Sequence, residues 1–169
     1  ILINGAGGGV GTFGIQIAKL YGAEVTGVDS TGKLDMMRSM GFDHVIDYTQ
    51  EDFTRNGKRY DIILDVRTDR SIFSYTRALC RHGVYLTVGG SIPRILGASF
   101  FKPWIAWISK KHYRLVAMKA NKDLVYMNEL FEAGKVKPVI GCTYQLNEVP
   151  EAFRLFSKGE QKGKIVITM

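Results

Sequence analysis

The sequence predicts an α/β fold: a doubly wound parallel six-stranded sheet with helices on both faces. Three observations carry that prediction. Short apolar runs alternate with stretches of helical periodicity along most of the 169 residues, the pattern of parallel strands joined by crossover helices. The first run, Ile1-Leu2-Ile3-Asn4, passes directly into Gly5-Ala6-Gly7-Gly8-Gly9-Val10-Gly11 and then into a helical pattern. Hydrophobic residues make up 46% and charged residues 23% of the chain, a globular balance able to build a core.

The elements follow in order. Ile1 to Asn4 is the first strand, and a helix runs from about Val10 to Tyr21, stopping at Gly22. Glu24 to Val28 is a second strand that ends at Asp29. A helix from about Lys33 to Met40 stops at Gly41, which is free to take the left-handed cap conformation. His44 to Ile46 is a short third strand, and Tyr60 to Leu64 is a fourth that ends at Asp65. Ser71 to Cys80 reads as a helix, and Gly83 to Val88 as a strand ending at Gly89-Gly90. The stretch 91–109, with Pro93, Pro103, Trp104 and Trp107, reads as irregular or as short helices. Tyr113 to Met118 is the sixth strand. Asn121 is placed as the cap of a helix with Leu124, Met127, Leu130 and Phe131 at core spacing, ended by Gly134. Pro138 to Ile140 and Lys164 to Thr168 are further strands. Between them Asn147 is placed as the cap of a short helix with Val149, Phe153 and Phe156 on one stripe.

The glycine-rich segment has the context that gives such a motif meaning: a strand before it and a helix after it. Its best register is Ala6-x-Gly8-x-x-Gly11. The first small residue makes a tight turn, the second glycine lets backbone approach a pyrophosphate, and the third lets the helix pack close to the strand. Bare backbone amides and a helix N-terminus then face a phosphate-sized space. A flexible turn without a ligand does not require five glycines in seven residues, because each costs backbone entropy. No GKS or GKT follows at the P-loop offset, so that nucleotide site is excluded. A methyltransferase also uses a glycine loop and an acid after the second strand, but its spacing fits less well and no substrate-side motif accompanies it.

Asp29 lies 18 residues beyond Gly11, close to the roughly 20-residue offset of the acid that binds the adenosine ribose in dinucleotide sites. A carboxylate there favours NAD, because it repels a 2′-phosphate. Ser30, Thr31 and Lys33 pull the other way, being hydroxyl-bearing or cationic, and the Tyr48 phenol can donate to a phosphate. The residues leave NAD and NADP both open.

The net charge of +7 is spread along the chain, and the densest cluster, Lys110-Lys111-His112-Tyr113-Arg114, is short for a nucleic-acid arm. A nucleic-acid partner is therefore not expected. Cys80 and Cys142 lie far apart, without a CxxC pair, so neither a zinc site nor a disulfide framework is expected and a reducing cytoplasm is the default. No apolar stretch reaches the ~18 residues of a membrane span.

Together these segments resemble the medium-chain dehydrogenase/reductase superfamily, and within it the zinc-independent, quinone-oxidoreductase-like branch. The resemblance rests on the Gly5–Gly11 loop continuing into Thr12-Phe13-Gly14-Ile15-Gln16-Ile17-Ala18-Lys19, on Gly41 to Tyr48, on Tyr60 to Asp65 and on Val88-Gly89-Gly90. It extends through Gly134 to Ile140 and Gly163 to Ile167, so it covers nearly the whole chain. It implies a Rossmann-type dinucleotide-binding domain over residues 1–138, with Gly7, Gly8, Gly9 and Val10 on the pyrophosphate. Lys33 and Tyr48 match the positions that hold the 2′-phosphate in NADPH-dependent members. Asp29 departs from those members, which carry a smaller residue there. Asp65-Val66 and Val88-Gly89 match the strand ends that line the adenine and nicotinamide sides. The resemblance further implies an N-terminal catalytic domain that is absent from this chain, a tail over 139–169 that packs on that domain, and a homodimer formed through the edge strand 113–118. It implies hydride transfer between NAD(P) and a quinone, enone or other carbonyl-type substrate. No catalytic residue is assigned, and His82, His112 and Cys80 read as ordinary surface or core residues. The rival reading is a nucleotide-binding or dimerisation module without turnover.

Overall fold

A computed structural model of the chain describes residues 1–88, 110–116 and 121–169. The expectations for 91–109, for Gly89-Gly90 and for the last residues of the 113–118 strand fall outside them. Six strands form one parallel sheet: β1 (Leu2–Asn4), β2 (Thr26–Asp29), β3 (His44–Asp47), β4 (Tyr60–Asp65), β5 (Leu79–Thr87) and β6 (His112–Leu115). Their order across the sheet is β3-β2-β1-β4-β5-β6. The chain winds outward in one direction from β1 and then in the other from β4, so the topological switch lies between β1 and β4. Open α/β sheets bind ligands in the crevice outside the carboxyl ends of the strands at this switch.

The central strand is short and wholly buried because both of its faces are covered. Successive side chains point to opposite faces, and Leu2 and Ile3 accordingly enter different cores. Ile3 joins Ile15 and Ala18 of α1 (Gly11–Leu20) and Met37 of α2 (Leu34–Ser39), with Val25 and Phe42. Leu2 joins Ile63, Phe53, Tyr85 and Tyr113 with Tyr75 and Ala78 of α3 (Ile72–Ala78). Helices thus cover both faces, as the alternating pattern predicts. Each fully buried large side chain in these clusters contributes on the order of 1.5–3 kcal/mol. On the outer side of α1, α4 (Leu124–Glu132) stacks Phe131 edge-on against Phe13, with ring centroids 5.9 Å apart.

Several local expectations are corrected. The helix predicted over Ser71 to Cys80 ends at Ala78, and β5 starts at Leu79, which pairs with Tyr60 ahead of a register shift. Leu79 is fully buried, and sheet pairing outweighs its helical propensity. Asn121 does not cap α4. That position belongs to Asp123 in the left-handed conformation, without a side-chain cap bond. Of the expected α4 core positions Leu130 is buried and Leu124 is exposed. Asn147 is not a cap either. It lies inside a 3-10 turn, Leu146–Glu148, opened by a reciprocal pair in which Gln145 and Glu148 each accept the other's backbone N–H. The strand expected over Pro138 to Ile140 is β7 (Ile140–Gln145), which pairs in parallel with β8 (Lys164–Thr168) in a separate two-stranded sheet. Between them runs α5 (Val149–Lys158). Its Phe153 and Phe156 are exposed and border an apolar groove with Ile165 and Ile167.

Candidate functional site

The site begins with the close approach of α1 to β1. A Cβ at Gly11 would stand 2.4 Å from the Ala6 carbonyl oxygen and 2.5 Å from its Cα, so only glycine lets the helix start there. At Gly8 the nearest atom to an added Cβ is the Gly5 carbonyl oxygen at 3.4 Å, so the loop is open on that side. At the α1 N-terminus Val10 offers no side-chain cap bond, and the first turn carries no acid. A helix end left this way favours an anion. Gly11 therefore serves the close packing that the spacing predicts, and Gly8 leaves open space next to backbone.

The tail of the chain returns to this loop. The Gly163 amide donates to the Gly7 carbonyl at 2.8 Å, and Gly8 and Gly163 form a parallel bridge. Lys164 Nζ stands 3.5 Å from where a side chain at Gly9 would begin, and 4.9 Å from the Phe13 ring centroid. The sequence reading did not single out Lys164 as a site residue. Its signal was the Lys162-Gly163-Lys164 run that leads into the last strand, which Lys164 opens.

At the end of β2, Asp29 is 3% exposed. Its Oδ2 accepts from the Gly7 amide at 2.9 Å, and its Oδ1 accepts from the Ser30 amide at 2.9 Å. Lys33 Nζ lies 3.3 Å from Oδ1 and donates to the Gly159 carbonyl at 2.7 Å. The Lys33 stem crosses Gly7, where an added Cβ would meet its Cδ at 2.7 Å. Each Asp29 oxygen thus accepts a backbone N–H from within the chain, and Oδ1 also pairs with Lys33.

Beside this pair is a cavity of about 510 Å³ bordered by Ser30, Lys33, Tyr48, Arg67, Lys158 and Lys162. Tyr48 reaches it from the end of β3, its amide bonded to the Asp29 carbonyl, and the Arg67 guanidinium lies 5.5 Å from the Tyr48 ring centroid. Arg67, Lys158 and Lys162 were not identified from the sequence. They lie far from the glycine loop in sequence, Arg67 just after β4, Lys158 at the end of α5 and Lys162 ahead of β8, and no local motif marks them.

Across the switch point, Val66 borders Gly5 and donates its amide to the Asn4 carbonyl, while the Val88 amide donates to the Asp65 carbonyl. Both sit at the ends of strands on the loop side of the sheet; Gly89 lies outside the described residues. Asp65 is fully buried and accepts from Asn4 Nδ2 at 2.9 Å, from the Thr68 amide at 2.9 Å and from the Tyr85 hydroxyl at 2.6 Å. Tyr75 joins Asn4 and Asp69, and burial pushes its phenol well above the usual range. This network braces β1 against β4 below the crevice. Among the described residues no group of three or more His, Cys, Asp and Glu side chains is arranged to hold a metal ion. None of their helices is long and apolar enough to cross a membrane.

A glycine loop at the switch of a parallel sheet is shared by many proteins, so comparison decides the family. The sequence profile of the zinc-binding dehydrogenases matches residues 40–167. The chain belongs to the zinc-binding dehydrogenase family. Within the medium-chain dehydrogenase/reductase superfamily it falls in the quinone-oxidoreductase-like branch. It is similar to a 2-methylene-furan-3-one reductase of Solanum lycopersicum, with 33% identity over 99% of this chain and 39% of the relative. It is also similar to a chloroplastic quinone oxidoreductase of Triphysaria versicolor, at 30% identity over 99% of this chain and 51% of the relative. A mitochondrial NAD(P)H oxidoreductase of Mus musculus is 32% identical over 99% of this chain and 47% of its own length. Among solved structures, the quinone oxidoreductase of Coxiella burnetii superposes with a TM-score of 0.78 at 25% identity, over 99% of this chain and 52% of that one. This zinc-binding dehydrogenase chain spans about half the length, or less, of these relatives.

Proposed function

We propose that this chain is the dinucleotide-binding portion of a zinc-independent oxidoreductase that transfers hydride between NAD(P)(H) and a quinone, enone or other carbonyl-type substrate. The observation that carries the reading is the loop at the sheet switch. Gly11 is sterically obligatory there, Gly8 opens to free space, and Lys164 flanks an uncapped helix N-terminus. That set suits a pyrophosphate, with Gly7, Gly8, Gly9 and Val10 around it and Lys164 as a further counter-charge. The relatives named as reductases and quinone oxidoreductases support the reaction class.

The bound nicotinamide supplies the hydride at its C4. The chain's own residues bind and orient. The loop backbone and Lys164 fix the phosphates, Ser30, Lys33 and Tyr48 border the ribose end, and Val66 and Val88 wall the crevice. We further propose that residues 1–138 carry the dinucleotide, and that the tail from 139 turns the apolar face of Phe153 and Phe156 toward a further domain of the parent enzyme. A homodimer through the 113–118 edge strand and a cytoplasmic location belong to the same proposal.

The test is Gly8→Val. The Cβ meets only an ordinary contact in the free chain, so the variant folds, and its branched side chain fills the space beside the loop. Calorimetry is expected to show loss of both NADPH and NADH binding with an unchanged urea midpoint. Undiminished binding would remove the loop assignment.

A further inference from the structure

The net charge of +7 is less evenly distributed than the wide scatter of Lys and Arg suggests. Ten of the 23 Lys and Arg residues, and none of the 16 Asp and Glu residues, lie between Arg70 and Lys122. The rest of the chain holds 13 basic against 16 acidic residues. The surplus therefore belongs to the segment that forms β5 and β6.

The fold gathers much of that surplus in one place and adds to it. β4, β5 and β6 lie side by side in parallel, so their amino ends share the edge of the sheet opposite the glycine loop. Lys58 and Arg59 precede β4, Arg81 and His82 lie in the irregular start of β5, and Lys110 and Lys111 lead into His112, where β6 begins. All of these except Lys111 are exposed. Lys111 turns inward and donates to the Thr76 carbonyl at 2.6 Å. Burial and the neighbouring Arg59 charge hold its ammonium below the ordinary value, so the cations of the β4 and β6 connections are close enough to repel. Elsewhere on the surface Arg38, Arg55 and Arg154 each pair with a carboxylate three residues away. Lys58, Arg59, Arg81 and Lys110 make no ion pair among the described residues, and Asp61 is the one acid on their three connections. Residues 89–109 and 117–120 include no acid that could supply a counter-charge. Like charges fixed on the ends of three packed strands repel one another, and an anionic partner relieves that repulsion.

The kind of anion follows from the residues that accompany the cations. The sequence leading into Lys110 sets Phe100, Phe101, Trp104 and Trp107 around Lys102, again without an acid. Aromatic side chains beside Lys are the composition of segments that lie where lipid headgroups meet acyl chains. We propose that the amino end of β4, β5 and β6 is a peripheral docking surface for an anionic lipid bilayer, with Lys58, Arg59, Arg81 and Lys110 against the headgroup charges. The glycine loop stands at the carboxyl ends of the strands, so the docked chain keeps its crevice turned away from the lipid. This surface is independent of the dinucleotide reading.

The experiment is co-sedimentation of the chain with vesicles of phosphatidylcholine alone and of phosphatidylcholine mixed with phosphatidylserine. The unmodified chain is expected to sediment with the mixed vesicles at low salt, to be released at high salt, and to ignore pure phosphatidylcholine. The pair Lys58→Gln and Arg59→Gln, and separately the pair Arg81→Gln and Lys110→Gln, should weaken partition by about fivefold for each cation removed. The substituted side chains are exposed, so urea midpoints should stay unchanged, and either pair tests the surface if the other folds poorly. The control pair is Lys135→Gln and Lys137→Gln, two exposed lysines on the connection that Gln16 of α1 holds. It removes the same charge and should weaken partition far less. An equal loss in the control would assign binding to net charge and overturn the surface. Failure to sediment with the mixed vesicles, or equal sedimentation with both kinds, would overturn it too. Tighter capture of a DNA duplex than of the mixed vesicles at the same salt would overturn the lipid assignment and give the patch to nucleic acid.

Discussion

Replacing Gly11 with alanine drives a methyl group into backbone that cannot turn aside. The new Cβ would lie 2.4, 2.5 and 2.6 Å from the O, Cα and C atoms of Ala6. To reach an ordinary contact of 3.4 Å, the start of α1 must retreat by about 1 Å. Ile15 and Ala18 of that helix sit in the core against Ile3, so the retreat loosens the layer that covers β1. Overpacking of this kind costs about 1–3 kcal/mol. Alanine returns at most about 1 kcal/mol over glycine inside a helix, and less at the first residue of α1. The expected net loss is about 1–2 kcal/mol, or roughly 2–8 °C in Tm for a chain of this size. Equilibrium urea unfolding reads it as a lower midpoint at constant slope. Gly32→Ala is the control, because an added Cβ at Gly32 meets nothing within 4 Å. An unchanged or raised midpoint for Gly11→Ala would refute the close-approach argument.

Asp65→Asn replaces the buried acceptor of three donors, the Asn4 amide group, the Thr68 N–H and the Tyr85 hydroxyl, and is expected to cost about 2 kcal/mol or more in urea unfolding. A neutral result would show that the network tolerates an amide. Burial raises the phenols of Tyr60, Tyr75 and Tyr113 above their ordinary value of 10.0. Folding stability from these groups is therefore complete below pH 10 and falls as the unfolded chain ionises above it, by up to about 1.4 kcal/mol per pH unit for each group. Tyr75→Phe should flatten the alkaline limb of stability against pH, and an identical limb would remove Tyr75 from that account. Lys164→Met should weaken NADPH and NADH alike, by about tenfold. A change in only one of the two would move Lys164 away from the pyrophosphate they share.

The local parts of the fold were legible because local rules govern them. The β1–loop–α1 unit follows from an apolar run, the steric needs of three small residues and a helical period, all within the first 20 residues. The alternation of periods likewise gave the parallel sheet. Helix ends were read less well. Leu79 continues a helical pattern in sequence but pairs with Tyr60 in space, and Asn121 and Asn147 are cap residues by type whose neighbours take over the role.

The site divides along the same line. By itself the sequence determined a glycine loop beside β1, with Asp29, Lys33 and Tyr48 following the second and third strands. Only the tertiary structure decided which way those groups act. Asp29 turns inward because the Gly7 and Ser30 amides and the Lys33 ammonium satisfy it there, and a buried carboxylate must be satisfied. Arg67 joins the site from the end of β4, beside Gly5, and Lys158, Lys162 and Lys164 join it because the tail folds back through Gly159 and Gly163 onto Lys33 and Gly7. Charges from such distant segments meet only once the sheet and its tail have packed, so no spacing along the chain could announce them.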